Sequence, residues 1–304
     1  MTRRFLDLFC GAGGFSQGLK DAGFEHLLGI ELDRAAAETY AANHGSVLVA
    51  DIKKISLDKI RDLGPEFRKK IDLVAASPPC QSFSLAGPRK VGDPKDMLYK
   101  HVIRLVDEIK PRWVLIENVP GMLSKQLKKK AAVDLIIGDL ERIGYHAEYR
   151  TLIGTDYEIP QIRKRVIIVA SRRERDVRFP EPVVDFDPSI RRFLEPRRRV
   201  PERNFWAPHV REYFVRKHEY VKYLDLDKPS PTIRACYLKN RGADGAVMYD
   251  EDHIRRLTEK EVAAIQTFPK SYVFVGSMTE VYKQIGNAIP PKLAEHLGRA
   301  LLGL

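Results

Sequence analysis

A single cysteine follows two prolines in the segment SPPCQSFS, at positions 77–84. A thiol becomes a nucleophile when its surroundings lower its pKa. Consecutive prolines fix φ and hold the preceding residues extended, so the turn that carries this thiol is stiff. A lone cysteine is nevertheless more often structural than reactive. Cys80 is therefore a candidate nucleophile only if other reactive groups lie beside it.

Two further segments carry groups that could act with Cys80. The predicted strand RWVLIEN ends at Glu117 and Asn118, and the segment PQIRKRVII begins at position 160. In the second segment Gln161, Arg163 and Arg165 occupy alternate positions, which share one face if the chain is extended. A thiol, an acid and a pair of arginines would then converge on one cleft.

The glycine-rich segment DLFCGAGGFSQGL, which starts at position 7, favours a nucleotide-like ligand. Gly11 and Gly13 permit tight turning and the close approach of a ligand at the carboxyl edge of a sheet. The segment matches neither the dinucleotide fingerprint nor the phosphate loop. Glu31 and Asp51 end the next two predicted strands, where carboxylates could bind a ribose diol and hold an adenine. An adenosine ligand without a phosphate, such as S-adenosylmethionine, fits this pattern.

Short apolar runs alternate with amphipathic segments in the first part of the chain. We predict strands at 5–9, 27–31, 47–50, 71–77, 112–118 and 165–171. We predict helices directly after the glycine loop and at 34–44, 97–110 and 131–144. Strands alternating with helices predict βαβ units and a mostly parallel sheet with helices on both faces, an α/β fold.

The composition of the chain divides it into three parts. Residues 1–171 would form a catalytic and cofactor-binding domain. Residues 172–255 have weak periodicity and hold fifteen arginines against four lysines, which suits base and phosphate recognition by a small irregular domain. Arginines that merely cover a loop-rich surface would give the same count. Helical patterning returns at 258–268, with the capping signature Thr-x-x-Glu, and at 290–302, so we expect 256–304 to pack back on the first domain.

The net charge of +11 favours a polyanionic partner such as nucleic acid, although a solvated basic surface would look the same. Cys10, Cys80 and Cys236 are too widely spaced to support a disulfide framework or a zinc site. The apolar runs are too short to cross a bilayer, and the N-terminus does not match a signal peptide. We therefore expect a cytoplasmic protein with reduced thiols and no metal.

Taken together, these segments resemble the DNA (cytosine-5) methyltransferases, specifically the prokaryotic type II modification enzymes. The matching segments follow the family's order through nearly the whole chain. They are FCGAGG at 9–14, Glu31, DI at 51–52, PPCQSFS at 78–84, ENV at 117–119, QIRKR at 161–165, LTEKEVAAIQTFP at 257–269 and YKQIGNAIPPKLA at 282–294. The resemblance implies the Rossmann-like sheet of S-adenosylmethionine-dependent methyltransferases, with 172–255 as the target-recognition domain.

The resemblance also implies a mechanism. The Cys80 thiolate would add to C6 of a cytosine that is flipped out of duplex DNA, while Glu117 would bind the N3/N4 edge and protonate N3. Arg165 would contact the cytosine O2, and Arg163 would support the site or a nearby phosphate. The segment 85–96 resembles the mobile loop that closes over the flipped base.

Cofactor and DNA contacts follow from the same resemblance. The S-adenosylmethionine pocket is expected at Phe9, Gly11, Ala12, Gly13, Glu31, Leu32, Asp51, Ile52, Pro79, Leu98, Asn287 and Ala288. Phe9 could stack on the adenine, and Asn287 is expected in a glycine-asparagine turn before the last helix. DNA contacts are expected at Ser84, Arg89, Lys90, Gln161, Arg197, Arg198, Arg199, Thr232, Arg234 and Arg241.

Three other functions compete with this interpretation. A tRNA cytosine-5 methyltransferase would share the catalytic motifs, but the length of 172–255 favours a compact DNA-recognition domain. A non-catalytic DNA-binding paralogue would usually lack the cysteine, the acid or the glycine loop. A dinucleotide oxidoreductase is disfavoured by the incomplete glycine fingerprint. We expect a monomer that yields S-adenosyl-L-homocysteine and protects DNA from a restriction endonuclease that acts independently.

Overall fold

A seven-stranded sheet forms the centre of the protein. The structure is a computed structural model that describes residues 2–79, 97–127, 130–208, 223–238, 245–250 and 253–304. In chain order, the strands in these ranges are β1 (Arg4–Leu8), β2 (Glu25–Glu31), β3 (Val47–Val49), β4 (Leu73–Ala76), β5 (Trp113–Asn118), β6 (Gln126–Leu127), β7 (Lys130–Ala131), β8 (His146–Ile153), β9 (Gln161–Ile162), β10 (Lys164–Ser171), β11 (Ser230–Pro231), β12 (Val247–Asp250) and β13 (His253–Arg255). The helices are α1 (Gly14–Asp21), α2 (Arg34–His44), α3 (Leu57–Arg61), α4 (Tyr99–Ile109), α5 (Gly121–Ser124), α6 (Ala132–Arg142), α7 (Glu259–Ile265), α8 (Met278–Asn287) and α9 (Pro291–Leu302).

The central sheet has the strand order β3-β2-β1-β4-β5-β10-β8. The first five strands in this order are parallel, and β10 runs antiparallel to both β5 and β8. Each of the six predicted strands overlaps an observed one, and the predicted α/β fold is confirmed. Strand β8 was not predicted, because its sequence HAEYRTLI is polar and most of its side chains are exposed at the edge of the sheet.

Helices cover both faces of the sheet. On one face, α4 and α6 pack on apolar side chains of the strands, with Val102, Val106 and Ile136 buried there. On the other face, α1 and α9 pack together and bury residues such as Leu19 and Leu297. Within the described ranges, the structure contains no helix with the length and apolar character needed to cross a membrane.

The contact between α1 and α9 is close because glycine stands where the helices meet. A Cβ atom on Gly18 would lie 2.1 Å from the carbonyl oxygen of Pro291. The last helix therefore returns to the element that follows the glycine loop.

A third apolar core joins the irregular segment 172–255, called the middle segment from here on, to α7 and α8. Ile233 and Tyr237 of the middle segment are buried there with Val262 and Tyr282. The predicted capping signature of α7 is confirmed, since Thr258 and Glu261 form a reciprocal capping box. These helices thus pack on the middle segment, α8 also contacts α2 through Gln284 and Thr39, and the domain boundaries at 171 and 255 stay predictions.

Candidate active site

The carboxyl end of β5 and the start of β10 bring an acid and an arginine together. Glu117 faces Ile167 in the antiparallel pairing of these strands, so the first residues of β10 lie beside the last residues of β5. Arg165 Nε lies 2.6 Å from Glu117 Oε1. Glu117 is 6% exposed and Arg165 is 8% exposed. The pair therefore holds the Glu117 carboxyl group beside a guanidinium group at an edge of the sheet that water reaches poorly.

The segment that follows β4 is hydrogen-bonded to the carboxyl end of β5. The side-chain amide of Asn118, the last residue of β5, donates to the carbonyl oxygen of Pro78 over 3.3 Å. Pro78 is buried, and the described part of the chain stops at Pro79. The predicted nucleophile Cys80 lies outside the described residues. So do Ser84, Arg89 and Lys90 and the segment 85–96.

The glycine loop between β1 and α1 has the backbone conformation that its sequence predicts. Gly11 and Gly13 have φ values of 54° and 91°, and Phe9 has a φ value of 57°. A Cβ atom on Gly11 would meet nothing within 4 Å, so open space lies against the loop backbone. Phe9 is half-buried at the end of β1. A flat ligand can approach such a loop closely.

Glu31 is held next to this loop by backbone amides. Its Oε2 accepts from the amide of Gly11 over 2.9 Å, and its Oε1 accepts from the amides of Leu32 and Asp33 over 2.8 Å each. The carboxylate is half-buried at the end of β2. Because these bonds fix its orientation before any ligand arrives, Glu31 is suited to accept hydrogen bonds from a diol.

The remaining predicted cofactor residues surround the same edge. Asp51 accepts from the amide of Lys53 over 3.0 Å and caps a single turn that carries the buried Ile52. Leu32 is 66% exposed, and Leu98 is half-buried just before α4. The open space at Gly11, the fixed carboxylate and the apolar neighbours fit an adenosine-type ligand.

The prediction for the glycine-asparagine turn is wrong. Gly286 and Asn287 are the last two residues of α8, and the turn begins at Ala288. Glycine is needed at position 286 for close packing, since a Cβ atom there would lie 2.4 Å from the carbonyl carbon of Arg234. Asn287 itself is exposed and Ala288 is half-buried.

Gln161 was predicted to contact DNA, and this prediction is wrong. The residue is 0% exposed. Its Oε1 accepts from the amide of Ile233 over 2.9 Å, and its Nε2 donates to Gln266 Oε1 over 2.7 Å. The amide group therefore joins β9 to the middle segment and to the end of α7, and no face of it is available to a nucleic acid.

Arg163 likewise lies inside the protein. It is 1% exposed, and its guanidinium group donates to the carbonyl oxygens of Ile233, Gly286 and Ala288 over 2.9, 3.0 and 2.8 Å. These contacts favour the supporting role that was predicted for Arg163. A phosphate contact is not compatible with this burial.

Comparison with known proteins identifies the family. The family model of C-5 cytosine-specific DNA methylases matches residues 3–204 and 193–303. The chain belongs to the C-5 cytosine-specific DNA methylase family. The predicted family and enzyme class are thereby confirmed.

Curated relatives of this methylase agree with that family. The chain is 30% identical to the type II methyltransferase M1.HphI of Haemophilus parahaemolyticus, over 99% of the chain and 87% of the relative. It is 32% identical to the type II methyltransferase M.FnuDI of Fusobacterium nucleatum, over 96% of the chain and 92% of the relative.

Among solved structures, the methyltransferase EhMeth of Entamoeba histolytica has a TM-score of 0.82 at 18% identity, covering 100% of the chain and 98% of EhMeth. Dnmt2 of S. pombe has a TM-score of 0.78 at 22% identity, covering 99% of the chain and 98% of Dnmt2. At these identities the likeness shows the fold.

The predicted DNA contacts of the methylase differ in how accessible they are. Arg197, Arg198 and Arg199 form one exposed turn, with the Arg197 guanidinium 5.5 Å from the ring centre of Tyr249. Thr232 is half-buried and its hydroxyl donates to the carbonyl oxygen of Ile162 over 2.7 Å. Arg234 is half-buried, and Arg241 lies outside the described residues.

A buried polar network beneath the glycine loop was missed by the sequence reasoning. Ser16 donates to Asp7 over 2.7 Å and lies 2.5 Å from the Tyr40 hydroxyl, which in turn lies 2.8 Å from His26 Nε2. Burial raises the pKa of Asp7 to about 7 and lowers the pKa of His26 to about 4. The signal for this network was an acid between apolar residues of strand β1.

Cys10, within the loop itself, is not a rival nucleophile of the methylase. It is buried, and that burial raises the pKa of its thiol. A thiol with a raised pKa is mostly protonated and reacts slowly.

Proposed function

We propose that this methylase transfers a methyl group from S-adenosylmethionine to C5 of a cytosine that is flipped out of duplex DNA. The observation that carries the proposal is the buried Glu117–Arg165 ion pair. It lies at the same edge of the sheet as the glycine loop and next to the segment that leads to Cys80.

The open glycine loop and the fixed Glu31 carboxylate would hold the adenosine part of the methyl donor, with Asp51, Ile52 and Leu98 around the adenine. When bound, S-adenosylmethionine supplies an electrophilic methyl group. Pro79 and Ala288 would complete this pocket, as the resemblance to the family implies. No residue of this pocket needs to bind a metal for that transfer.

Cytosine C5 is a poor nucleophile, so the protein must activate it first. The Cys80 thiolate adds to C6 while the Glu117 carboxyl delivers a proton to N3, which leaves electron density at C5. Arg165 orients Glu117 and lies within reach of the O2 edge. After methylation, loss of the C5 proton re-forms the 5,6 double bond and expels the thiolate of Cys80.

A cytosine in a duplex hides both C6 and C5 within the stacked bases. The base must therefore leave the helix, which costs a few kcal/mol of unstacking and unpairing. The net charge of +11 and the exposed Arg197–Arg199 turn would contribute contacts to the phosphates. We assign recognition of the flanking sequence to 172–255.

The similarity to type II methyltransferases supports a role in a restriction-modification system. In that role the methylase acts in the cytoplasm as a monomer on double-stranded DNA. A cognate endonuclease would act on the same sequence without binding the methylase.

Transfer of labelled methyl groups from S-adenosylmethionine to duplex DNA, compared with bulk tRNA, tests this proposal. Label in 5-methylcytosine of DNA alone is the expected result. Label in tRNA alone would establish the tRNA methyltransferase instead, and binding of DNA without transfer to either would establish a non-catalytic paralogue. Bisulfite sequencing of DNA from cells that express the chain then gives the modified cytosine and its neighbours.

A further inference from the structure

Tyr272 reaches from the segment between α7 and α8 back to the glycine loop. Its hydroxyl donates to the carbonyl oxygen of Ala12 and lies 2.8 Å from Nε2 of His44, the last residue of α2. More than two hundred residues separate Tyr272 from the loop in the sequence, so the contact is a product of the fold.

The neighbours of His44 determine the direction of these hydrogen bonds. Lys20 Nζ lies 3.4 Å from His44 Nδ1. An ammonium group can only donate, so Nδ1 accepts and the ring hydrogen sits on Nε2. Nε2 then donates to the Tyr272 hydroxyl oxygen, and the hydroxyl group donates its own hydrogen to the carbonyl oxygen of Ala12. Burial lowers the pKa of His44 to about 3 and raises the pKa of Tyr272, so both groups are neutral at ordinary pH.

The pair also fills the space directly against the loop. A Cβ atom on Gly13 would lie 2.4 Å from His44 Nε2 and 2.6 Å from the Tyr272 hydroxyl. Two residues of the loop's centre are anchored to other elements, and the third is bonded within the loop. The amide of Gly11 binds Glu31, the carbonyl of Ala12 binds Tyr272, and the amide of Gly13 donates to the carbonyl oxygen of Cys10 over 2.9 Å.

The same segment braces α2, which follows Glu31 in the chain. Asn43 exchanges two hydrogen bonds with the backbone of Val273, over 2.8 and 3.0 Å. Thr39 donates to Gln284 Oε1 over 2.7 Å. The segment from Tyr272 to Gln284 thus contacts both the loop and the helix behind Glu31.

We propose that Tyr272 and His44 are positioning residues that hold the Ala12 carbonyl, and with it the glycine loop, in the conformation that binds the cofactor. This inference rests on the proposed function, because it assigns the loop to S-adenosylmethionine. Neither side chain contacts the reacting atoms. Their effect is on cofactor affinity and leaves the chemical step unchanged.

Tyr272→Phe removes the hydroxyl alone and tests the inference. Calorimetry with S-adenosylhomocysteine should show a Kd raised about tenfold, the size expected for the loss of one hydrogen bond. The KM for S-adenosylmethionine should rise by a similar factor with kcat retained. In the cofactor-free protein, hydrogen exchange of the amides at 11–13 should become faster.

Tyr145→Phe is the matched control. The Tyr145 hydroxyl also donates to a backbone carbonyl oxygen, that of Pro111, over 2.7 Å. Pro111 lies before β5 and Tyr145 lies before β8, both at the amino edge of the sheet. The glycine loop lies at the carboxyl edge. This variant loses the same kind of bond, and its Kd for S-adenosylhomocysteine should equal that of the parent chain.

An unchanged Kd and unchanged exchange in Tyr272→Phe would overturn the inference, as would an equal weakening in Tyr145→Phe. Either result, with a parent chain that binds S-adenosylhomocysteine, leaves the proposed function intact. A parent chain that does not bind it would overturn the proposed function and this inference together.

Discussion

Glu117 and Arg165 form a buried ion pair at the edge of the sheet where the target cytosine would bind. Removing one partner of such a pair leaves an uncompensated charge, which costs stability as well as chemistry. A test of the acid therefore needs a comparison ion pair elsewhere. Arg112 and Asp176, 3.0 Å apart at the other end of β5 and β10, provide one.

We expect Glu117→Gln to lower kcat for DNA methylation by about 10²–10⁴-fold, because the amide cannot deliver a proton to N3. The Kd for S-adenosylhomocysteine should stay within about twofold of the parent value, since Glu117 lies outside the glycine loop. Asp176→Asn should lower the midpoint of thermal unfolding and leave kcat unchanged. Equal losses of kcat in the two variants would contradict the role of Glu117.

The sequence correctly predicted that Glu117 and Arg165 lie close together. The apolar runs at 112–118 and 165–171 predict two strands, with Glu117 near the end of one and Arg165 at the start of the other. It did not predict that Gln161 and Arg163 are buried, which leaves Arg163 its predicted supporting role and excludes the alternative of a phosphate contact. Alternation along a strand predicts that residues share a face, but it does not say what covers that face. Here the middle segment and α8 cover it, through contacts that are distant in sequence.

Helix α8 packs closely on the middle segment. Gly286 lies in the last turn of α8, and a Cβ atom there would lie 2.4 Å from the backbone of Arg234. Gly138, in α6, is also a helical glycine, and a Cβ atom on it would meet nothing within 4 Å. Alanine substitutions at the two positions therefore distinguish the effect of close packing on stability from the effect of helix propensity.

Gly286→Ala should lower the free energy of unfolding by about 1–3 kcal/mol, because α8 must move away from the middle segment. Gly138→Ala should raise it by up to about 1 kcal/mol, because alanine is the better helix former. Denaturant titration of both variants measures these changes. A stabilising Gly286→Ala would show that α8 does not pack on the middle segment as described.

All but one of the seven strands of the central sheet could be predicted from the sequence. The helix at 34–44 was predicted with its observed bounds from its amphipathic pattern, and in the structure Asp33 caps its start and Gly45 follows its end. Strand β8 and helix α8 could not be predicted. The first is a polar edge strand, and the second ends in Gly286-Asn287, which resembles a turn although the glycine serves close packing.

The whole molecule carries a net charge of +11, and only part of that charge can face DNA. The turn formed by Arg197, Arg198 and Arg199 is exposed in the middle segment. Arg68, Lys69 and Lys70 form a second exposed basic triplet, directly before β4 at the amino edge of the sheet. The two triplets carry the same charge but lie on different parts of the protein surface.

Replacing Arg197, Arg198 and Arg199 with alanine should weaken DNA binding and reduce the slope of log K against log salt by about one for each phosphate that the protein no longer binds. Replacing Arg68, Lys69 and Lys70 with alanine should leave that slope almost unchanged. Fluorescence anisotropy at several salt concentrations measures both. Equal slopes in the two variants would mean that the total charge, and not the position of the 197–199 turn, determines binding.

The covalent step at Cys80 is the central claim, and it can be observed directly. Duplex DNA with 5-fluorocytosine at the target should form a covalent complex with the parent chain in the presence of S-adenosylmethionine. The complex should survive denaturing electrophoresis, because release of Cys80 requires loss of a C5 proton and 5-fluorocytosine carries fluorine there instead of hydrogen. Cys80→Ser should bind the same DNA without forming this complex. A denaturation-resistant complex that persists in Cys80→Ser would contradict the account.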